Sequence, residues 1–252
     1  MTRTITMMQP YLFPYLNYFQ LIAAADVFVL GDDLQYIKSG WINRNRILEH
    51  NDARMITFPL KRDSFDLAIN QRQLSDTFDD ESKRLINLLK HHYSRAPHFS
   101  EVMPLLERLI GFPERNLALY IEHTLRGLCT YLDIGTRVVR ASDLNLPRML
   151  DKQDRVIQTA KLFDATLYIN PMGGVALYDQ DYFSRHGLAL RFMQMDEISY
   201  PQYRLPFVSN LSIIDVMMFN DVERIRALLG CYSLHLGCAH SAPATVSDVA
   251  WS

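Results

Sequence analysis

TITMMQPYLFPYLNYFQLIAAADVFVLGDDLQYIKSGWINRNRIL, residues 4–48, holds the densest set of special residues in the chain. Thr4 to Met8 is a short apolar run and reads as a strand. Tyr15, Tyr18, Phe19 and Ile22 recur at helical spacing, so Pro14 to Ala25 reads as a helix. Pro14 suits its first position, where the missing N–H costs nothing. Val27 to Gly31 reads as a second strand. A strand–helix–strand opening of this kind points to an α/β sheet, and in open α/β sheets ligands bind beyond the carboxyl ends of the strands. Both strand exits are rich in polar and aromatic residues here. Gln9-Pro10-Tyr11-Leu12-Phe13 follows the first, and Asp32, Asp33, Tyr36, Lys38, Trp41, Asn43, Arg44, Asn45 and Arg46 follow the second.

Each group in this stretch has a functional and a structural reading. No Ser, Thr, Asp or Asn stands at Phe13 to cap the helix, so its first N–H groups either face an anion or are satisfied by water or a neighbouring loop. Asp32 and Asp33 are adjacent, and adjacent strand residues point to opposite faces. One of them can bind an amine, a ribose or a metal, or the pair can simply form a turn. Trp41-Ile42-Asn43-Arg44-Asn45-Arg46 puts the asparagines on one side of an extended segment and the arginines on the other. Two guanidiniums can fork onto a carboxylate or phosphate, or pair with acids along a solvated edge.

Outward from this unit, the chain alternates between the two periods. Met55 to Leu60 and Leu67 to Leu74 read as strands, paired as a hairpin around Arg62-Asp63-Ser64. From Asp76 to Leu132 the pattern is helical, with stripes at Leu85, Leu88, Leu89 and Tyr93, then Val102 to Ile110, then Asn116 to Leu132. The second half returns to strand–helix order: strand Thr136–Arg140, helix Lys152–Phe163, strand Thr166–Asn170, helix Tyr178–Arg185, strand Leu188–Phe192. A parallel sheet with helices against it follows. Tyr200 to Asn210 is a loop with two prolines, and Ser212 to Leu229 forms one or two helices. The expected organisation is a single Rossmann-like α/β domain over 1–230, a mainly helical insertion around 76–132, and a tail over 231–252.

Other groups were weighed for chemistry. His91 and His92 end a helix, where cations suit the dipole and imidazoles can also shuttle protons. Asn170-Pro171-Met172-Gly173-Gly174 leaves a buried strand, and its glycines allow close backbone approach without the Lys-Ser/Thr ending of a phosphate loop. Ser212-x-x-Asp215 resembles a capping box, which would hold the Asp215 carboxylate, with Ser209 and Asn210 beside it. Cys231, His235, Cys238 and His240 match no closed zinc spacing, so no metal site is assigned. Cys129, inside an amphipathic helix, reads as core.

Bulk properties bound the function. Of 252 residues, 48% are hydrophobic and 21% charged, with net charge −2, which is the profile of a globular chain with no bias toward DNA or acidic membranes. No stretch approaches the roughly 18 apolar residues of a membrane span. Three cysteines make no disulfide framework, and a cytoplasmic location is the expectation.

The residues QPYLFPYLNYFQLI, DDLQYIKSGWINRNRI, ATLYINPMGGVALY and FVSNLSIIDVMMFN together resemble the WbqC-like family, over most of the chain from Gln9 to about Leu229. That family is associated with bacterial O-antigen and surface-polysaccharide gene clusters, and a glycine-transferase role has been suggested for some members. The resemblance implies transfer of an acyl or aminoacyl group to an amino sugar or a nucleotide-linked amino sugar. An activated donor is then needed: a carrier-protein thioester, an aminoacyl-tRNA or an adenylate. On this reading Arg44 and Arg46 hold a carboxylate or phosphate. Gln9, Tyr11, Tyr15, Tyr18, Lys38, Trp41, Asn43, Asn170, Gly173, Gly174, Ser209 and Asn210 shape the pocket. Asp32 or Asp33 binds the amine or acts as base, with His91 or His92 in reserve.

A fainter likeness is to class I nucleotidylyltransferases, which carry H-x-G-H between the first strand and first helix. Tyr15, Asn17 and Tyr18 stand at its three defining positions. A phenol titrates near 10 and stays neutral, and losing one charge-stabilising donor typically costs roughly 2.7–4 kcal/mol. The alternatives are therefore a nucleotide-binding enzyme with an altered motif, or a non-catalytic ligand-binding protein of a polysaccharide assembly.

Overall fold

The computed structural model describes residues 2–64, 66–147 and 150–237. Among these, six strands form one sheet: β1 (Thr4–Met8), β2 (Val27–Leu30), β5 (Arg137–Arg140), β6 (Leu167–Pro171), β7 (Ala189–Met195) and β8 (Tyr232–His235). Their order is β5-β2-β1-β6-β7-β8. Counted within this sheet, that is third, second, first, fourth, fifth, sixth, the doubly wound order of a Rossmann-like fold. All pairings are parallel except the last, in which β8 runs antiparallel to β7. The order reverses between β1 and β6, and this is the switch point of the sheet.

The central strands β1, β2 and β6 are short and mostly apolar because both of their faces are covered. Ile5, Met7, Val27 and Val29 face α5 (Lys152–Leu162) and α6 (Gln180–Arg185) in one core. Met8, Phe28 and Leu30 face a larger core built from α1 (Leu16–Ala23), α7 (Ile213–Phe219), α8 (Val222–Leu229) and a helical layer. That layer is α2 (Phe78–Tyr93), α3 (Phe99–Ile110) and α4 (Leu117–Tyr131). Helix α1 is buried from Leu16 through Ile22, so its polar residues need partners inside. Gln20 donates from Nε2 to the carbonyls of Leu228 and Cys231, at 2.9 and 3.0 Å.

Three expectations are corrected. The hairpin is formed by β3 (Arg44–Glu49) and β4 (Asp52–Thr57), not by two strands around Arg62-Asp63-Ser64. His50 and Asn51 both have positive φ (46° and 68°), as a two-residue type I′ turn requires. Residues 67–74 are no strand: Ile69 and Asn70 donate their backbone N–H groups to Leu34 and Asp32, and Ile69–Gln71 closes as a 3₁₀ turn. Third, the tail begins later than its composition suggests, because Tyr232–His235 extends the sheet as β8. Cys238 and His240 lie outside the described residues. Among the described residues no helix is long and apolar enough to cross a membrane, and no group of three or more His, Cys, Asp or Glu is placed to hold a metal ion.

Candidate functional site

Five parallel strands end on one edge, at Met8, Leu30, Arg140, Pro171 and Met195. At the switch point this edge opens into a cavity of about 250 Å³, lined by Met8 and Gln9 at the exit of β1, Leu34 after β2, Tyr178 after β6, and Lys152 and Arg155 on α5. Asp33 lies beside it. The Arg155 guanidinium donates to both Asp33 oxygens, at 2.5 and 2.6 Å, and its Nε is buried with no hydrogen-bond partner. Among the described residues Lys152 makes no ion pair, so the cavity wall keeps a positive charge beyond the one neutralised by Asp33.

Asp32 does different work. Its buried carboxylate accepts from the Ser142 N–H at 3.0 Å and the Ser142 hydroxyl at 2.6 Å, with Asn70 at 3.4 Å. It ties the exits of β2 and β5 to the 69–71 turn, with no oxygen left for a ligand amine. Asn170 is also internal. It accepts from the Tyr168 hydroxyl at 3.0 Å and donates to the Pro171 carbonyl at 3.1 Å. Gly174 sits against it, while Gly173 is exposed on the 3₁₀ turn Met172–Leu177.

The arginine–tryptophan stretch forms a second centre. Alternation along β3 turns Asn45 inward and leaves Arg44 and Arg46 half-buried. The asparagines bind backbone, not ligand: Asn43 donates to the Phe58 carbonyl at 2.7 Å, and Asn45 to those of Leu12 and Phe13 at 3.1 and 2.5 Å. Both guanidiniums lie over the Trp41 ring, at 5.4 and 5.2 Å from its centroid. Arg44 donates to the Ser39 carbonyl and Arg46 to the Asn210 carbonyl, at 3.4 Å in the latter case. Both Nε atoms are buried without a partner, and among the described residues neither side chain meets a carboxylate at ion-pair distance. Tyr11 packs edge-on against Tyr15 and Tyr18, and its ring centroid lies 6.2 Å from that of Trp41. Burial raises the pKa of all three phenols, so they are neutral. Tyr18 spends its hydroxyl on the Gln9 carbonyl, at 2.8 Å. Lys38 is exposed on the loop between β2 and β3.

Beside this centre lies a cavity of about 470 Å³ at the exit of β7. Tyr15 and Leu16, at the start of α1, line one side, and α1 has no side-chain cap. Ser209 and Asn210 line another, and Asp196 and Glu197 a third. Tyr200 forms part of the wall and donates at 2.8 Å to Asp215. Tyr93 and Gln202 also donate to that fully buried carboxylate, at 2.9 and 2.8 Å. Burial raises the Asp215 pKa to about 6, against the lowering effect of those three donors. The capping-box expectation is corrected here. Ser212 does cap α7, but its own backbone N–H goes to the Arg46 carbonyl, and Asp215 finds its partners across the molecule.

The structure therefore divides the expected site. Gln9 and Asp33 belong to the switch-point cavity. Tyr15, Ser209 and Asn210 line the second cavity; Tyr11, Trp41, Arg44 and Arg46 are not in its lining, though Tyr11 packs on Tyr15 and Arg46 donates to the Asn210 carbonyl. The segment from Gln9 to Tyr15 joins the two, with Gln9 lining one and Tyr15 the other. His91 and His92 line neither; they stand at the end of α2 beside His50. Asp196 and Glu197 went unnoticed in the sequence, where a lone acidic pair carries no spacing signal.

Fold and geometry together define a doubly wound α/β protein with cavities along the carboxyl edge of its sheet. Residues 9–227 match the model of the WbqC-like protein family, and the chain belongs to that family. It is similar to an uncharacterized protein of Mycobacterium tuberculosis, Rv1507c, at 30% identity over 223 residues, which covers 86% of this chain and 94% of that protein. No solved structure matches the chain.

Proposed function

We propose that this protein transfers an acyl or aminoacyl group, such as glycyl, to the amine of an amino sugar in surface-polysaccharide synthesis. The observation that carries the reading is the pair of cavities on one carboxyl edge, joined by Gln9–Tyr15, since a transferase must seat two substrates side by side. The switch-point cavity, with Lys152 and Arg155, takes the phosphate-bearing part of a nucleotide-linked sugar. The second cavity takes the reacting groups. Asp196 and Glu197 hold the amine, and Arg44 and Arg46 hold a carboxylate or phosphate of the donor. In the reaction the amine nitrogen bonds to the activated carbonyl carbon, the thiolate or other donor leaving group departs, and the amine proton passes to a carboxylate. Asp196 and Glu197 take this role over from Asp32, whose oxygens are occupied, and from His91 and His92, which lie elsewhere. The family's association with polysaccharide gene clusters supports the substrate class.

Thermal-shift measurements with UDP- and dTDP-linked amino sugars test this. Wild type should gain several degrees, and Arg46→Ala and Asp196→Asn should each reduce product formation from an activated acyl donor by at least tenfold. Unchanged turnover in both variants would remove the second cavity from the reaction.

One observation favours a second reading: the switch point of a doubly wound sheet is where such folds bind nucleotides, and a cationic cavity stands there. A nucleotidylyl- or ligase-type enzyme would be stabilised by ATP and not by the sugar nucleotides. Against it, Tyr15 and Tyr18 are neutral and Tyr18 is engaged with backbone, so neither supplies charge to a phosphoryl oxygen.

A further inference from the structure

A third cavity lies away from both substrate cavities, between the β3–β4 turn, the end of α2 and the proline-containing loop before α7. Its volume is about 310 Å³, and its polar lining is almost wholly basic: His50, His91, His92, Arg95 and Arg204. The three imidazoles form a chain, with ring centroids 4.9 Å apart for His91 and His92 and 5.5 Å apart for His50 and His92. The Arg95 guanidinium lies 5.5 Å from the centre of the Tyr203 ring, which fixes its direction at the cavity wall. Among the described residues no carboxylate stands at ion-pair distance from Arg95 or Arg204. Glu49, which reaches the cluster at the His92 Nε2 at 2.9 Å, is shared with Arg54. Asn51, also in the lining, has a buried Oδ1 with no hydrogen-bond partner.

Cations of the last turn of α2 would balance the helix dipole, but that alone does not explain this gathering. The dipole asks for one or two positive groups, and five basic side chains converge from three separate segments. Two are guanidiniums with no counter-charge. The crowding is solvent-exposed at His50, His91, Arg95 and Arg204, and an anion among them relieves its repulsion. Its effect is visible at His92, where burial and then the fields of His91, His50 and Arg54 hold the imidazole below its ordinary pKa against the pull of Glu49.

We infer that this pocket is a binding site for a phosphorylated small molecule, with Arg95 and Arg204 forked on the phosphoryl oxygens, His50, His91 and His92 donating to them, and Asn51 accepting from a hydroxyl of the same ligand. The ligand is distinct from the two transferase substrates, and the site stands whether or not the transferase reading does. It also bears on the second cavity. The loop that brings Tyr203 and Arg204 to this pocket also brings Tyr200, Ser209 and Asn210 to that one.

Inorganic pyrophosphate is the probe. Calorimetric titration of the full chain should show binding that the variants below assign to this pocket and that weakens as ionic strength rises, because the contacts are between charges. Arg95→Ala and the double variant His50→Gln/His91→Gln should each weaken binding at least tenfold, and Arg126→Ala, on α4 and paired with Glu122, should leave it unchanged. Arg204→Ala, on an exposed residue like Arg95, makes the same test independently. No heat of binding in wild type, or binding kept in both Arg95→Ala and the histidine double variant, would overturn the assignment.

Discussion

Asp215 is the residue whose role depends most on its surroundings. Its side chain is closed off from solvent, and three neutral donors hold it with no cation at hand. Its folded pKa, raised to about 6 from an ordinary 3.8, means that the folded chain binds more protons than the unfolded chain between those values. Stability contributed by this group therefore falls as pH rises from about 4 to about 6 and is lost above that. At about 1.4 kcal/mol per pKa unit the change is on the order of 3 kcal/mol. Asp215→Asn should flatten that part of the stability–pH profile, measured by urea unfolding of both proteins from pH 4 to pH 7. A slope identical to wild type would show that the carboxylate is not the titrating group. The residue type alone could not disclose this, since Tyr93 and Tyr200 reach it from elements far from the Ser212 cap.

At the scale of elements, local chemistry was legible where local forces decide. The strand, helix and strand of residues 4–30 follow from spacing, and the alternation of Asn43 to Arg46 places asparagines inward and arginines outward as an extended segment must. Pairing was less legible. The type I′ turn at His50-Asn51 is a short-range signal, but those residues are weaker turn formers than Asn-Gly, and Arg62-Asp63-Ser64 looked at least as good. The turn after β6 shows why Gly174 is there. A Cβ on it would stand 1.9 Å from the Asn170 Nδ2, which is buried and hydrogen-bonded to the Pro171 carbonyl. Gly174→Ala should cost about 1–3 kcal/mol through forced repacking, read as a lower denaturant midpoint. Part of that loss should return in Asn170→Ser/Gly174→Ala, because the two positions share the contact.

For the whole molecule, the sheet order puts β1 and β6 side by side and so creates the switch-point cavity. Strand β8 then covers the outer edge of β7, from Phe192 opposite His235 to Met195 opposite Tyr232. A chain ending at Cys231 should lose this cover and expose unpaired backbone groups on β7. We expect its melting temperature to drop by several degrees, since about 1 kcal/mol shifts Tm by roughly 2–4 °C in chains of this size. Light scattering should show concentration-dependent association. Equal melting curves and no scattering would mean that β8 adds nothing to the sheet.

By itself the sequence determined the α/β class, the opening strand–helix–strand unit, the helical layer and the family, because apolar periodicity and unusual motif residues are local properties of the chain. Only the tertiary structure decided the sheet order, the hairpin partner, and the sorting of polar residues among cavities. Hydrogen bonding between distant segments made that decision. Asp32 was taken up by Ser142, the asparagines of the β3 stretch by loop carbonyls, and the histidines by a separate basic pocket, whereas Asp196 and Glu197 were brought to Tyr15 and Asn210 by the way β7 and α1 share one edge of the sheet.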